Sequence, residues 1–256
     1  MKKYILFLAL FSVAGLFTMT SCRPQTDANA ELVAPETAQS EAAAKGGAQK
    51  EDDDADEKDN AKNKHTNLKG AEANTATVQN LITAYTGEST ATAKYAAYSK
   101  KAQEEGYTQI ALLFKATSAS EKIHANNHKS VLEDMGEKVP NVTPQFTVKT
   151  TKENLADAIA GESYEIATMY PEFITVANAA DNQLALTSLN YAYRTEQRHK
   201  PMYEKALAAL QNNQMGAMSA TYYVCPTCGN TYDTTPPKRC RISMTSSEKM
   251  VKINTL

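Results

Sequence analysis

A Glu-x-x-His pair that occurs twice places the strongest constraint on how this chain can fold. Glu121 and His124 form the first copy, and Glu196 and His199 repeat the spacing 75 residues later. Three residues make up most of a helical turn, so each pair projects a carboxylate and an imidazole from one face of a helix. The two copies therefore predict two helices that present metal ligands to a common point.

A further glutamate precedes each pair at nearly the same distance. Glu88 lies within Gly87-Glu88-Ser89, and Glu162 lies within Gly161-Glu162-Ser163. Two helical hairpins, each giving one Glu from its first helix and Glu-x-x-His from its second, make the ligand set of carboxylate-bridged di-metal bundles. The duplicated motif set predicts an all-α four-helix bundle around a di-metal centre.

Apolar residues at helical spacing place the four helices of this bundle within residues 75–212. Gly106 and Gly136 are the expected ends of the first two helices. Residues 136–150 contain two prolines and are long enough to cross the length of the bundle. A break near Asp181 separates the third helix from the fourth. The sequence thus predicts two hairpins joined by a long crossover.

The candidate ligands fall on the apolar faces of these helices. They are Glu88, Glu121, His124, Glu162, Glu165, Glu196 and His199. Burying even one unpaired carboxylate costs several kcal/mol, so five of them at core positions require cations. Buried Glu–His ion pairs without metal are the alternative, and they would have to recur in both halves. His128, one turn beyond His124, is interpreted as a core residue or a support for the ligands, with a further ligand as the alternative.

The N-terminal residues predict export. Residues 1–21 begin with Lys2 and Lys3, continue with an apolar run and end in small and polar residues directly before Cys22. This pattern is typical of a lipoprotein-type signal peptide and predicts lipidation at Cys22. The expected location is the bacterial cell envelope, with the protein anchored to a membrane through that lipid. A simple N-terminal membrane anchor is the alternative.

Residues 22–74 are polar and acidic and contain almost no large apolar side chain. Such a composition buries too little apolar surface to offset chain entropy, and it predicts a disordered tether. Calcium binding by the acidic run at residues 51–57 is an unspecific alternative. The net charge of the whole chain is −2, without a basic patch, which excludes nucleic acid as an expected partner.

Three cysteines near the C-terminus predict a second metal site within residues 220–256. Cys225 and Cys228 form a Cys-x-x-Cys-Gly turn that can present two thiolates to one metal. Cys240 stands where a second such turn would start, but Ser243 occupies the position of its second cysteine. Iron held weakly or with an open position, a Ser243 alkoxide ligand, zinc, a purely structural Cys knuckle and an empty site all remain open.

These motifs together resemble the rubrerythrin family over residues 75–256. The segment Gly161-Glu162-Ser163-Tyr164-Glu165, followed by Tyr170-Pro171-Glu172-Phe173, is particularly similar to that family. The resemblance implies a ferritin-like bundle with two iron ions, in which Glu165 is the additional carboxylate ligand. It also implies that Tyr95 and Tyr170 hydrogen-bond the ligand carboxylates, and that an iron moves between His124 and Glu165 with redox state.

The same resemblance implies a function. It suggests a peroxidase that reduces hydrogen peroxide to water, with electrons relayed through a rubredoxin-like C-terminal site from an electron donor that is unknown. It further implies a homo-oligomer. The C-terminal site would hold one iron or zinc ion. The alternative function is that of an iron-binding or ferroxidase-type protein without electron relay, because Ser243 stands where a fourth cysteine is expected.

Overall fold

The computed structural model describes residues 69–256, and α-helices occupy most of them. They are α1 (Ala71–Glu104), α2 (Thr108–Asp134), α3 (Thr151–Tyr164), α4 (Tyr170–Ala179) and α5 (Gln183–Gln211). A π-helical turn, Glu165–Met169, joins α3 directly to α4, so these two form the third member of a four-helix bundle. The predicted bundle is confirmed. Its first helix begins at Ala71, a few residues before the expected start at Thr75.

One short turn and one long connection set the order of the helices. Three residues separate α1 from α2, so these helices pack against each other as an antiparallel hairpin. Residues 136–150 then run without regular secondary structure to the start of α3. There the Glu153 N–H donates to Thr150 Oγ1 at 3.3 Å, and the Thr150 N–H donates to Glu153 Oε2 at 3.2 Å. This capping box fixes where the third helix of the bundle begins.

The bundle core consists of two apolar clusters with a polar level between them. One cluster includes Tyr95, Phe114 and Tyr203, and the other includes Leu81, Leu132 and Leu189. Along α1, α2 and α5, the motif glutamates and histidines lie between the residues of the two clusters. The sequence therefore buries its charged residues at one level and closes that level with apolar side chains above and below.

A small β-module follows α5. Its strands are β1 (Tyr222–Val224), β2 (Thr231–Tyr232) and β3 (Val251–Ile253), which form an antiparallel sheet in the order β2-β1-β3. Tyr222 and Val224 of β1 are buried in the apolar cluster that contains Phe114. The Lys115 ammonium also donates to the Thr255 carbonyl at 2.9 Å. The module is thus packed directly on the bundle.

The predicted signal peptide, the lipidation site at Cys22 and nearly all of the predicted tether lie outside the described residues. Within residues 69–256, none of the helices combines the length and apolar content that crossing a membrane requires.

Candidate metal centres

Two groups of buried ligand side chains meet at the polar level of the bundle. The first group is Glu88, Glu121, His124 and Glu196, and the second is Glu121, Glu162, Glu196 and His199. Within each group the candidate ligand atoms all lie within 4.8 Å of one another. Glu121 and Glu196 belong to both groups. These two carboxylates are therefore placed to bridge a pair of cations, whereas Glu88 and Glu162 each serve one.

The two oxygens of each shared carboxylate face different histidines. Glu121 Oε2 lies 2.9 Å from His124 Nδ1, and Glu121 Oε1 lies 3.1 Å from His199 Nδ1. Glu196 Oε1 lies 2.9 Å from His124 Nδ1, and Glu196 Oε2 lies 2.7 Å from His199 Nδ1. The duplicated motif in the sequence thus produces a nearly symmetric arrangement in the fold.

When both rings carry their proton on Nε2, most of these inward-facing atoms have no hydrogen-bond partner within residues 69–256. They are both carboxyl oxygens of Glu121 and of Glu196, Glu162 Oε2, His124 Nδ1 and His199 Nδ1. Buried polar atoms are normally satisfied, so the convergence of these atoms from three helices indicates that they share partners of another kind. Carboxylate oxygens and imidazole nitrogens are the ligands of paired iron or manganese ions in helical bundles. The residues present fit a pair of metal ions.

The electrostatics of the cluster lead to the same conclusion. Burial raises the pKa of Glu88 to about 7, and burial together with neighbouring carboxylates raises the pKa of Glu162 well above its ordinary value. Burial alone would lower the pKa of His199, but the charges of Glu121 and Glu196 raise it to about 9. Without cations the cluster therefore balances its charge by holding protons, and metal ions binding there would displace them.

The C-terminal module orients both histidines. His124 Nε2 lies 3.1 Å from the Cys228 carbonyl, which can only accept a hydrogen bond, so this nitrogen carries the proton. His199 Nε2 lies 3.0 Å from Thr231 Oγ1, whose own proton is donated to the Gly229 carbonyl. Both rings therefore donate from Nε2 and leave the Nδ1 lone pair free for a metal. The sequence did not predict these contacts, because no local pattern connects the loop after Cys228 to α2 or α5.

Removing the Thr231 hydroxyl will weaken metal binding at the second ligand group. Thr231→Val keeps the side-chain shape but leaves His199 Nε2 without its acceptor, and loss of such a supporting contact typically costs roughly 10- to 100-fold in metal affinity. Competition against a chelator of known affinity measures the loss, and Thr231→Ser should restore most of the binding. Equal affinities for the valine variant and the unmodified protein would show that Thr231 does not position His199.

Two tyrosines predicted to support the ligands do contact them. The Tyr95 hydroxyl donates to Glu162 Oε1 at 3.1 Å, and the Tyr170 hydroxyl donates a short hydrogen bond to Glu88 Oε1. His128 lies outside both ligand groups, with its Nδ1 2.8 Å from Ser188 Oγ and its Nε2 3.4 Å from the Tyr170 hydroxyl. This placement agrees with the interpretation of His128 as a support for the ligands.

Glu165 is near the site but belongs to neither ligand group. Burial, with the carboxylates of Glu88 and Glu196 next in effect, raises its pKa well above the ordinary value. Glu165 is the first residue of the π-helical turn that joins α3 to α4. In this structure His124 belongs to the first group and Glu165 does not. The predicted exchange of iron between these two ligands stays a prediction.

The cysteines of the module form a third candidate site. Cys225, Cys228 and Cys240 are fully buried and are not joined in disulfides. Their sulfur atoms lie within 4.8 Å of one another, and Cys228 Sγ is 3.5 Å from Cys240 Sγ. Three converging thiols in a loop that starts with Cys-x-x-Cys-Gly fit a single zinc or iron ion.

Comparisons with known proteins agree with the fold. The family profile described as Rubrerythrin matches residues 79–207. Rubrerythrin-2 of Clostridium acetobutylicum is 34% identical over 159 residues, which cover 62% of this chain and 86% of the relative. Nigerythrin of Nitratidesulfovibrio vulgaris is 34% identical over 169 residues, which cover 65% of this chain and 81% of the relative.

Solved structures show the same relationship. A structure of nigerythrin in a mixed-valence state superposes with a TM-score of 0.62 at 31% identity, covering 69% of this chain and 86% of that one. A bacterioferritin of Mycobacterium tuberculosis, at 19% identity, has a TM-score of 0.50 and covers 57% of this chain and 90% of its own. At that identity the bacterioferritin likeness concerns the fold alone.

The bundle, its paired ligand groups and the cysteine module define a ferritin-like di-metal protein with an additional metal-binding module. Among such proteins, this chain belongs to the rubrerythrin family. The family and the carboxylate–histidine groups support a di-iron protein associated with oxidative stress. They also confirm the predicted all-α, ferritin-like fold with a cysteine-rich module at its end.

Proposed function

We propose that this protein reduces hydrogen peroxide to water at the bundle site, with electrons that arrive through the cysteine site. One observation carries the proposal: the carbonyl of Cys228 accepts a hydrogen bond from the His124 ring at 3.1 Å. Cys228 is a candidate ligand in one site and His124 in the other. A single buried hydrogen bond thus links the two sites within one chain and favours electron transfer between them.

The chain's own side chains hold the ligands and exclude bulk water. Tyr95 and Tyr170 hydrogen-bond Glu162 and Glu88, respectively. Cys228 and Thr231 accept hydrogen bonds from His124 and His199. Two ferrous ions held by these carboxylates and histidines would supply together the two electrons that peroxide requires, without the one-electron release of hydroxyl radical. The overall reaction takes up one hydrogen peroxide, two electrons and two protons and gives two molecules of water. The apolar clusters on either side shield the ligand side chains from bulk water.

The proposal is tested by rapid mixing of the anaerobically reduced, iron-loaded protein with hydrogen peroxide. We expect the absorption of the oxidised bundle site to appear faster with peroxide than with air-saturated buffer. We also expect repeated turnover when a chemical or rubredoxin-type reductant is present. Oxidation by peroxide that is no faster than oxidation by air would contradict the proposal.

A second candidate function is iron binding or ferroxidase activity without electron relay. The observation that favours it is Ser243, which stands where the fourth cysteine of a rubredoxin-like site is expected. This function predicts oxidation of added ferrous ions by oxygen, but no peroxide turnover from any reductant that acts through the cysteine site. The turnover measurement with reductant therefore separates the two candidates.

A further inference from the structure

The Ser243 hydroxyl lies next to the three thiols of the cysteine site. Ser243 Oγ is 3.2 Å from Cys225 Sγ, while Cys228 Sγ is 3.5 Å from Cys240 Sγ. In a tetrahedral site with metal–sulfur bonds of about 2.3 Å, two ligand atoms are separated by roughly 3.8 Å, and by less when one of them is oxygen. The Ser243–Cys225 pair and the Cys228–Cys240 pair are therefore spaced like two opposite edges of one small tetrahedron of ligand atoms.

Neighbouring hydroxyl groups determine how the Ser243 hydroxyl points. Thr245 Oγ1 donates its only proton to Thr227 Oγ1 at 2.8 Å. Thr245 can therefore only accept from Ser243, whose Oγ is 2.8 Å away. Because the Ser243 proton is directed towards Thr245, the oxygen lone pairs are left for the side where the thiols lie. The serine is oriented as a neutral hydroxyl ligand would be.

Two other side chains of the module place hydrogen-bond donors next to the Cys240 sulfur, which favours its negatively charged form. Asn230 Nδ2 and the Tyr232 hydroxyl lie 3.7 Å and 3.6 Å from Cys240 Sγ, and both are donors. Buried thiolates need a cation, and three of them leave one corner of a tetrahedral site for another donor.

We propose that Ser243 supplies the fourth ligand of a Cys3Ser metal site, as a hydroxyl held in place by Thr245. This inference rests on the cysteine site binding a metal, as the proposed function requires, but it does not depend on peroxide chemistry. It also replaces the interpretation of the module as one that has lost a ligand. The site is complete, with an oxygen donor that carries less charge and binds more weakly than a thiolate.

The inference is tested with cobalt(II) added to the full chain, since thiolate-to-cobalt absorption reports the cysteine site and not the carboxylate site of the bundle. The variants are Ser243→Cys and Ser243→Ala, with Ser246→Ala as a control that removes a hydroxyl from the same loop. We expect Ser243→Cys to gain thiolate absorption equivalent to one additional sulfur. We expect Ser243→Ala to bind cobalt at least tenfold more weakly, with an altered visible spectrum, and Ser246→Ala to behave as the unmodified protein does.

Two results would overturn the inference. One is equal thiolate absorption in the Ser243→Cys variant and the unmodified chain, which would show that the side chain at position 243 does not face the metal. The other is an Ser243→Ala protein with unchanged affinity and spectrum. Circular dichroism of each variant verifies that the helices are intact. Because cobalt binding needs no peroxide, failure here is distinguishable from failure of the proposed reaction.

Discussion

Gly229→Ala will displace His124 and move the loop between Cys228 and Thr231 away from α2. A Cβ at position 229 would lie 2.4 Å from His124 Nε2 and 2.6 Å from Ser120 Oγ, and both neighbours are buried in the packed face of α2. Gly229 also has φ +77°, which costs an alanine roughly 1–2 kcal/mol. We expect metal affinity at the bundle site to fall roughly 10- to 100-fold, because His124 loses its partner at Cys228.

The chain contains a matched control for this experiment. Gly136 has φ +76°, but a Cβ there would meet nothing within 4 Å in the described part of the structure. Gly136→Ala therefore carries the same backbone cost without the collision. Thermal unfolding and chelator competition on both variants separate the two effects. Equal losses of stability and of bundle metal in the two variants would show that the loop does not depend on close contact with His124.

Glu196→Gln will empty both positions of the bundle site, whereas Glu162→Gln will empty one. Glu196 faces both histidines and belongs to both ligand groups, while Glu162 belongs only to the second. Losing a bridging carboxylate removes a ligand from each ion and the negative charge that keeps two cations close together. The expected result is a fall from two bundle ions to none in Glu196→Gln and to one in Glu162→Gln.

Elemental analysis after iron loading and removal of free metal measures this difference. Glu88→Gln provides the reciprocal control, because Glu88 belongs only to the first group. It should also leave one ion, and the two single-ion variants should differ in which histidine is bound. Retention of one ion by Glu196→Gln, as in Glu162→Gln, would mean that Glu196 is not shared between the two metals.

The bundle and the convergence of its charged residues could be predicted from local spacing. Glu121, His124, Glu196 and His199 are related by helical periodicity, and periodicity survives folding because each helix is regular around them. The structure brings these four residues together with Glu88 and Glu162. The helix boundaries near Gly106 and Gly136 also followed from local signals, because glycine can end a helix wherever it occurs.

The parts that spacing could not predict arise where regularity is interrupted. A π-helical turn at Glu165–Met169 interrupts the regular helix directly after α3, and Glu165, its first residue, belongs to neither ligand group. Pro171 indicates an irregularity nearby, because it cannot donate the helical hydrogen bond, but it does not specify a π turn. The contacts of Cys228 and Thr231 with the two histidines are long-range and have no counterpart in a local pattern.

The loop between Cys228 and Thr231 is also synthesised after all five helices of the bundle. All of α1 to α5 precedes this loop in the chain, so the helices can pack before the groups that orient His124 and His199 have been made. A bundle at that stage lacks the Cys228 and Thr231 acceptors that leave the Nδ1 lone pairs of both histidines for metal. We therefore expect the bundle site to reach its final geometry only after the module has folded onto α2 and α5.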